Sequence, residues 1–210
     1  MLRTASFSRA PVALLSVCVF AFLHGSVPAQ AALDQDGLER ALQLARASAR
    51  DRARFHAPYV FTFDGPDLEE LQVVTEFRRA VLIAEDHLRI GDWMFTRSPA
   101  QASAALDPWR GLVVVTARLR FNPLNVYATM PPYTMTLQSA AGGTVRPVAT
   151  SVTSILAPQA SPDAGGQVIL GALVACRFEE AAVARERREV RIVLGDAIVA
   201  AATVDFGAFE

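Results

Sequence analysis

From Leu112 to the C-terminus the chain repeats one pattern. Short runs of alternating apolar and polar residues are cut apart by glycine- and proline-containing turns. A period of two sends successive side chains to opposite faces of a strand, so each run has one face to bury. In Leu112–Phe121 that face is Val113, Val115, Ala117, Leu119 and Phe121, with Arg118 and Arg120 opposite. In 167–178, parity groups Val168, Leu170, Ala172, Val174, Cys176 and Phe178. In 197–206 it groups Ile198, Ala200, Ala202, Val204 and Phe206, and Gly195-Asp196 joins this run to 189–194 as a hairpin turn. Pro131-Pro132 separates the runs 126–130 and 133–139. Proline donates no ladder hydrogen bond, so this segment reads as a sheet edge or a crossover. Gly142-Gly143 leads into 144–148, 151–157 reads as a further strand, and 160–166 as a loop.

The first half mixes helices with strands. Residues 34–56 read as one helix, with Asp36 as cap and Glu39 three residues on in capping-box position. Its stripe of Leu38, Leu42, Ala45 and Ala49 is thin, so weak packing or a mobile arm is expected. Pro58 stops it. Residues 59–64 alternate as a strand, and Gly65-Pro66-Asp67 turns the chain. A strand over 69–74 and a helix over 76–90 follow, the helix capped by Thr75 and stopped at Gly91. Ser98-Pro99 opens a short helix to Leu106, and 107–111 is a turn.

Arg3 and Arg9 precede an apolar run from Ala10 to Leu23, which is short for a bilayer span. Ala29-Gln30-Ala31 then supplies an A-x-A site, so residues 1–31 read as a cleaved signal peptide. Cleavage after Ala31 removes two arginines and shifts the net charge from −1 to −3. Lipoprotein processing at Cys18 fits less well, because Val17 occupies a position that favours a small residue. The cleaved chain retains Cys176 alone, so no internal disulfide forms. The expected location is periplasmic or secreted, with no stable membrane span after cleavage.

A charge this close to zero disfavours non-specific nucleic-acid binding, which needs excess cations to displace counterions. Every basic residue is arginine. The expected organisation is a helical extension over 32–57 and a single β-rich domain over 58–210 with an inserted helix near 76–90. The expected fold is mainly β, an Ig-like antiparallel β-sandwich of about seven to nine strands, with a small barrel as alternative.

Catalytic signals are weak. Glu85-Asp86-His87, with Glu76 upstream, is the densest titratable group, but Glu76 and Glu85 point to opposite sides of one helix. A charged, solvated helix face is the expectation. No H-x-x-x-H or G-x-S-x-G motif occurs, and the glycine pairs lack the order of a phosphate-cradling loop. No catalytic residue, metal ligand or cofactor is therefore assigned. Arg46, Arg50 and Arg54, with Arg52, form a basic stripe diluted by Glu39 and Asp51. Cys176 shares an apolar face with Val174 and Phe178 and is expected to be buried and inert. Trp93, Trp109, Tyr127 and Tyr133 are the notable aromatics, of which Trp109, Tyr127 and Tyr133 are the candidate binding residues, since aromatics beside turns and prolines suit contact surfaces.

The functional expectation is an exported, non-enzymatic envelope protein that binds a protein or polymer partner, with 126–139 as the candidate edge. A carrier of a small apolar ligand in an inter-sheet pocket is the alternative. A hydrolase using Glu85, Asp86 or His87 ranks below both.

Overall fold

The computed structural model describes residues 33–122, 129–157, 168–183 and 185–209. These residues are mainly β, with nine strands in two antiparallel sheets and five helices. The signal-peptide assignment and Tyr127 lie outside the described residues. No helix among the described residues is long and apolar enough to cross a membrane.

Two helices replace the single one expected over 34–56. Helix α1 is Gln35–Ala45 and α2 is Ala49–His56. Asp34, not Asp36, caps α1, its Oδ1 accepting from Gly37 N at 2.7 Å. The break comes at Ser48, whose hydroxyl accepts from Asp51 N and opens α2. A serine at that point competes with the helix for the backbone amide and starts a new one. The expected weak packing does not occur: Leu38, Ala41, Leu42 and Ala45 are all buried.

Helix α3 (Glu76–Arg89) is capped by Thr75, and α4 (Pro99–Leu106) by Ser98, both at the expected residues. Helices α1, α3 and α4 share one apolar core that includes Phe77, Val81, Ala84 and Leu106. Phe55 of α2 joins that core to the β core, meeting Phe77 at 5.8 Å and Tyr59 at 5.4 Å.

Strands β1 (Val60–Thr62), β2 (Leu68–Val74), β3 (Leu112–Arg120), β7 (Ile169–Glu179) and β6 (Ala149–Leu156) form the first sheet in that order. Strands β5 (Thr144–Val145), β4 (Tyr133–Ser139), β8 (Arg187–Leu194) and β9 (Ala197–Asp205) form the second. Helix α5 (Glu180–Val183) links β7 towards β8. Both sheets feed one core, in which Leu71, Val115, Phe178, Met135 and Ile192 are fully buried.

Parity fails twice, each time at a bulge. Ile155 pairs with Gly171 but Leu156 pairs with Ile169, which leaves Leu170 as the extra residue and turns it outward. Ile192 pairs with Ala200 but Val193 pairs with Ile198, so Ile198 is likewise exposed. An extra residue in one strand shifts every side chain beyond it to the other face. Beside the first bulge, a Cβ on Gly171 would lie 2.0 Å from the Leu119 carbonyl oxygen, so only glycine fits.

Candidate functional site

The outer face of the first sheet is only partly covered by helices. Its floor follows from the strand register. Val114, Arg177 and Ala149 form one row across β3, β7 and β6, and Thr116, Ala175 and Ser151 form the next. The inner rows alternate with these and carry Val115 and Cys176 into the core. Arg177 is therefore an outward arginine, the one charged residue in 167–178.

Trp109 stands beside this floor on the turn Asp107–Trp109. Arg110 clamps the turn: Nε donates to Asp107 at 2.9 Å, Nη2 to Ser103 at 2.7 Å and Nη1 to Glu76 at 3.2 Å. Glu76 is buried and also accepts from the backbone amides of Leu33 and Gly111, each at 3.1 Å. One carboxylate thus ties the start of α1, the start of α3 and the entry to β3. It anchors the chain just after the indole, and Arg110 ties that point back to Ser103 and Asp107 before it.

Two guanidinium groups lie over that indole. Arg79 of α3 is 4.1 Å from the ring centroid and Arg177 is 4.5 Å away. The three side chains, with Thr116, Thr150, Ser151 and Ala149, line a cavity of about 400 Å³. No carboxylate among the described residues forms an ion pair with Arg79 or Arg177. The Arg79 Nε is buried without a hydrogen-bond partner. Burial, and then the like charge of Arg177, hold the Arg79 pKa below the usual arginine range, against the pull of Asp86.

Its neighbour in sequence shows what a structural arginine looks like here. Arg78 is buried but donates to the carbonyls of Val73 and Tyr59, to Gln72 and to His56 Nδ1. It also lies over the Tyr59 ring at 5.0 Å. Arg78 thus has acceptors for its donors, whereas Arg79 leaves a buried donor unmet. A buried donor without an acceptor costs about 1–3 kcal/mol, and two cations beside one ring repel each other. The indole offsets part of this through cation–π attraction. An anion at this position would supply the missing acceptor and cancel the repulsion, with the Thr116 and Ser151 hydroxyls of the outer row as further donors.

The other candidates are dispersed. Glu85 meets His56 at 3.1 Å and Arg52 at 3.2 Å, Asp86 pairs with Arg89, and His87 Nδ1 meets Asp92 at 2.9 Å. His87 is also stacked on Phe95 at 3.6 Å between centroids. These three neighbours in sequence share no partner and form no common site. In the basic stripe, Arg46 donates to the Leu42 carbonyl, Arg52 to that of Ala47, and Arg54 pairs with Asp51. Tyr133 faces inward at 6% exposure, 5.9 Å from Phe121, so it is not a surface residue. Cys176 is fully buried, with Thr150 Oγ1 at 3.4 Å. Among the described residues, no three or more His, Cys, Asp or Glu converge as metal ligands.

Of the described aromatics singled out from the sequence, Trp109 alone lines this cavity. Arg79 and Arg177 were not anticipated. The available signal was Arg177 itself, a lone charge at an outward position of an otherwise apolar strand. No family model, curated protein or solved structure matches the chain.

Proposed function

We propose that the chain is an exported, non-enzymatic envelope module that holds a protein or polymer partner through acidic groups seated beside Arg79, Trp109 and Arg177. The observation that carries this reading is the unmet donor of Arg79, next to a second arginine that has no carboxylate in salt-bridge contact among the described residues. Fixed cations in a half-closed cavity attract and orient anionic groups. Export, to the periplasm or beyond, is part of the same proposal and rests on the A-x-A site after a short apolar run.

The architectural part of the proposal is an Ig-like sandwich, supported by strand order. With β2–β9 lettered A, B, C, C′, D, E, F and G, the sheets run A-B-E-D and C′-C-F-G. That is the order of Ig-type sandwiches. Strand β1 and the helices between β2 and β3 are additions to it.

The probe is short-chain polyacrylate, a carboxylate polymer without amide groups. Trp93 is 64% exposed, so Trp93→Phe leaves Trp109 as the reporter without disturbing the core. Polyacrylate should change Trp109 emission saturably, and Arg79→Ala or Arg177→Ala should each weaken binding about tenfold. Equal affinity in the Arg79→Ala/Arg177→Ala double variant would refute the reading.

A further inference from the structure

We infer that the partner docks as an extended acidic segment that adds a strand to the free edge of β6. This rests on the anion-capture reading above and says which backbone accompanies the anions. Among the described residues β6 has a ladder with β7 alone, so its other side presents unpaired amide and carbonyl groups. Sheets normally guard such an edge by shortness, charge or proline. Strands β1 and β5 are guarded by shortness, at three and two residues. Strand β6 has eight residues, Ala149–Leu156, with no charge and no proline.

The arginine cavity lies one strand inward from this edge. Ala149 pairs with Arg177, and Ser151 with Ala175. An added strand would sit about 4.8 Å beyond β6, so a residue opposite Ala149 would have its Cα roughly 9–10 Å from that of Arg177. Glutamate and arginine side chains together span that distance. Between them stand only a methyl group and a serine hydroxyl, which leave the path open. Carboxylates on alternate residues, opposite Ala149 and Ser151, would face the cavity together. On the inner side, Thr150 Oγ1 meets Thr134 Oγ1 of β4 at 3.1 Å, which closes the two-sheet body there and leaves the backbone edge to the partner.

Strand β9 also has an open side, but each arginine of β8 in register with it faces a counter-charge or an acceptor: Arg187 stands opposite Asp205, Arg188 meets Glu186 at 2.9 Å and donates to the Val183 and Ala182 carbonyls, and Arg191 pairs with Glu189 at 2.6 Å. Charge complementarity therefore selects β6 and an acidic occupant. Strand addition supplies affinity through the main chain and specificity through alternate side chains.

The test uses the whole chain and the capped peptide acetyl-Thr-Glu-Thr-Glu-Thr-Glu-Thr-amide, read by Trp109 emission in the Trp93→Phe background. The matching lysine peptide is the charge control. Two N-methylated versions block the two alternate sets of amides, only one of which can face β6. The expected result is binding of the acidic peptide alone, weakened about tenfold by Arg177→Ala and about tenfold by one N-methyl set but not the other. Loss with both sets, or with neither, overturns strand addition. So does an acidic peptide that fails to bind while polyacrylate binds in an arginine-dependent way, which leaves the anion-capture reading standing. Failure of polyacrylate and peptide alike overturns both.

Discussion

The helical layer and the two-sheet body solve the same burial problem with different residues. In the body, large side chains fill the space between sheets, Phe178, Leu71 and Ile192 among them. In the helical layer much of the contact is alanine: Ala41, Ala45, Ala80 and Ala84 are all nearly or fully buried. Small side chains let helix axes approach closely, and the backbones then supply the contact. The alanine stripe of α1 thus reads as weak by hydrophobic content and packs tightly in fact. Burial of α1 depends on α3 having alanines opposite it, which no reading of α1 alone can reveal.

This contrast predicts opposite sensitivities. Phe178→Ala should cost about 3–5 kcal/mol in denaturant unfolding, because it empties the middle of the sheet core. In the helical layer the damaging change is enlargement: Ala84→Leu should cost about 1–3 kcal/mol by forcing α1 and α3 apart. A tolerated Ala84→Leu would show that the alanine contact has slack and would remove the distinction between the two regions.

At the seam between the regions, Arg78 and Arg79 should differ just as clearly. Arg78→Met strips donors from two buried backbone carbonyls and should cost about 2–4 kcal/mol, ranking between the two core changes. Arg79→Met removes a half-buried cation with an unmet donor and should leave stability within about 1 kcal/mol of the parent, in either direction. An Arg79 variant as unstable as the Arg78 one would make Arg79 structural and weaken the functional account.

The smallest effect belongs to Glu69, which accepts from Arg120 Nε at 2.6 Å and Arg118 Nε at 2.8 Å on the exposed side of β2 and β3. The hydrogen bond from Arg120, assisted by that from Arg118, holds its carboxyl below the usual range. A depressed folded pKa stabilises above the unfolded value, and the contribution fades as pH falls through the folded value. Glu69→Gln should therefore cost no more than about 1 kcal/mol near neutrality, and that difference should vanish in acid. A difference independent of pH would mean that packing, not charge, joins these residues.

Local signals in the sequence located most elements. Thr75 and Ser98 cap α3 and α4 because short side-chain oxygens serve the first free amides wherever the following residues can turn. The failures are non-local or compete at one position. Asp34 and Asp36 both suit a cap, and the geometry of Gly37 favours Asp34. The outward turns of Leu170 and Ile198 depend on bulges set by partner strands. The site divides the same way. Trp109 was legible as an aromatic in a proline turn, whereas Arg79 and Arg177 meet only because α3 lies over the sheet that contains β7. Tyr133, beside two prolines, had the same local signal as Trp109 and faces the core instead.

Anion capture by Arg79 and Arg177 is read most directly by nuclear magnetic resonance of the arginine Nε–Hε groups while polyacrylate is added to the whole chain. The Arg79 and Arg177 signals should shift and exchange more slowly with solvent as the anion occupies the cavity. The Nε–Hε signals of Arg78, which donates to His56 Nδ1, and of Arg188, which donates to the Val183 carbonyl, should stay where they are. Unchanged Arg79 and Arg177 signals at saturating polymer would contradict anion capture, because the unmet donor would then have found no partner in the ligand it is argued to await.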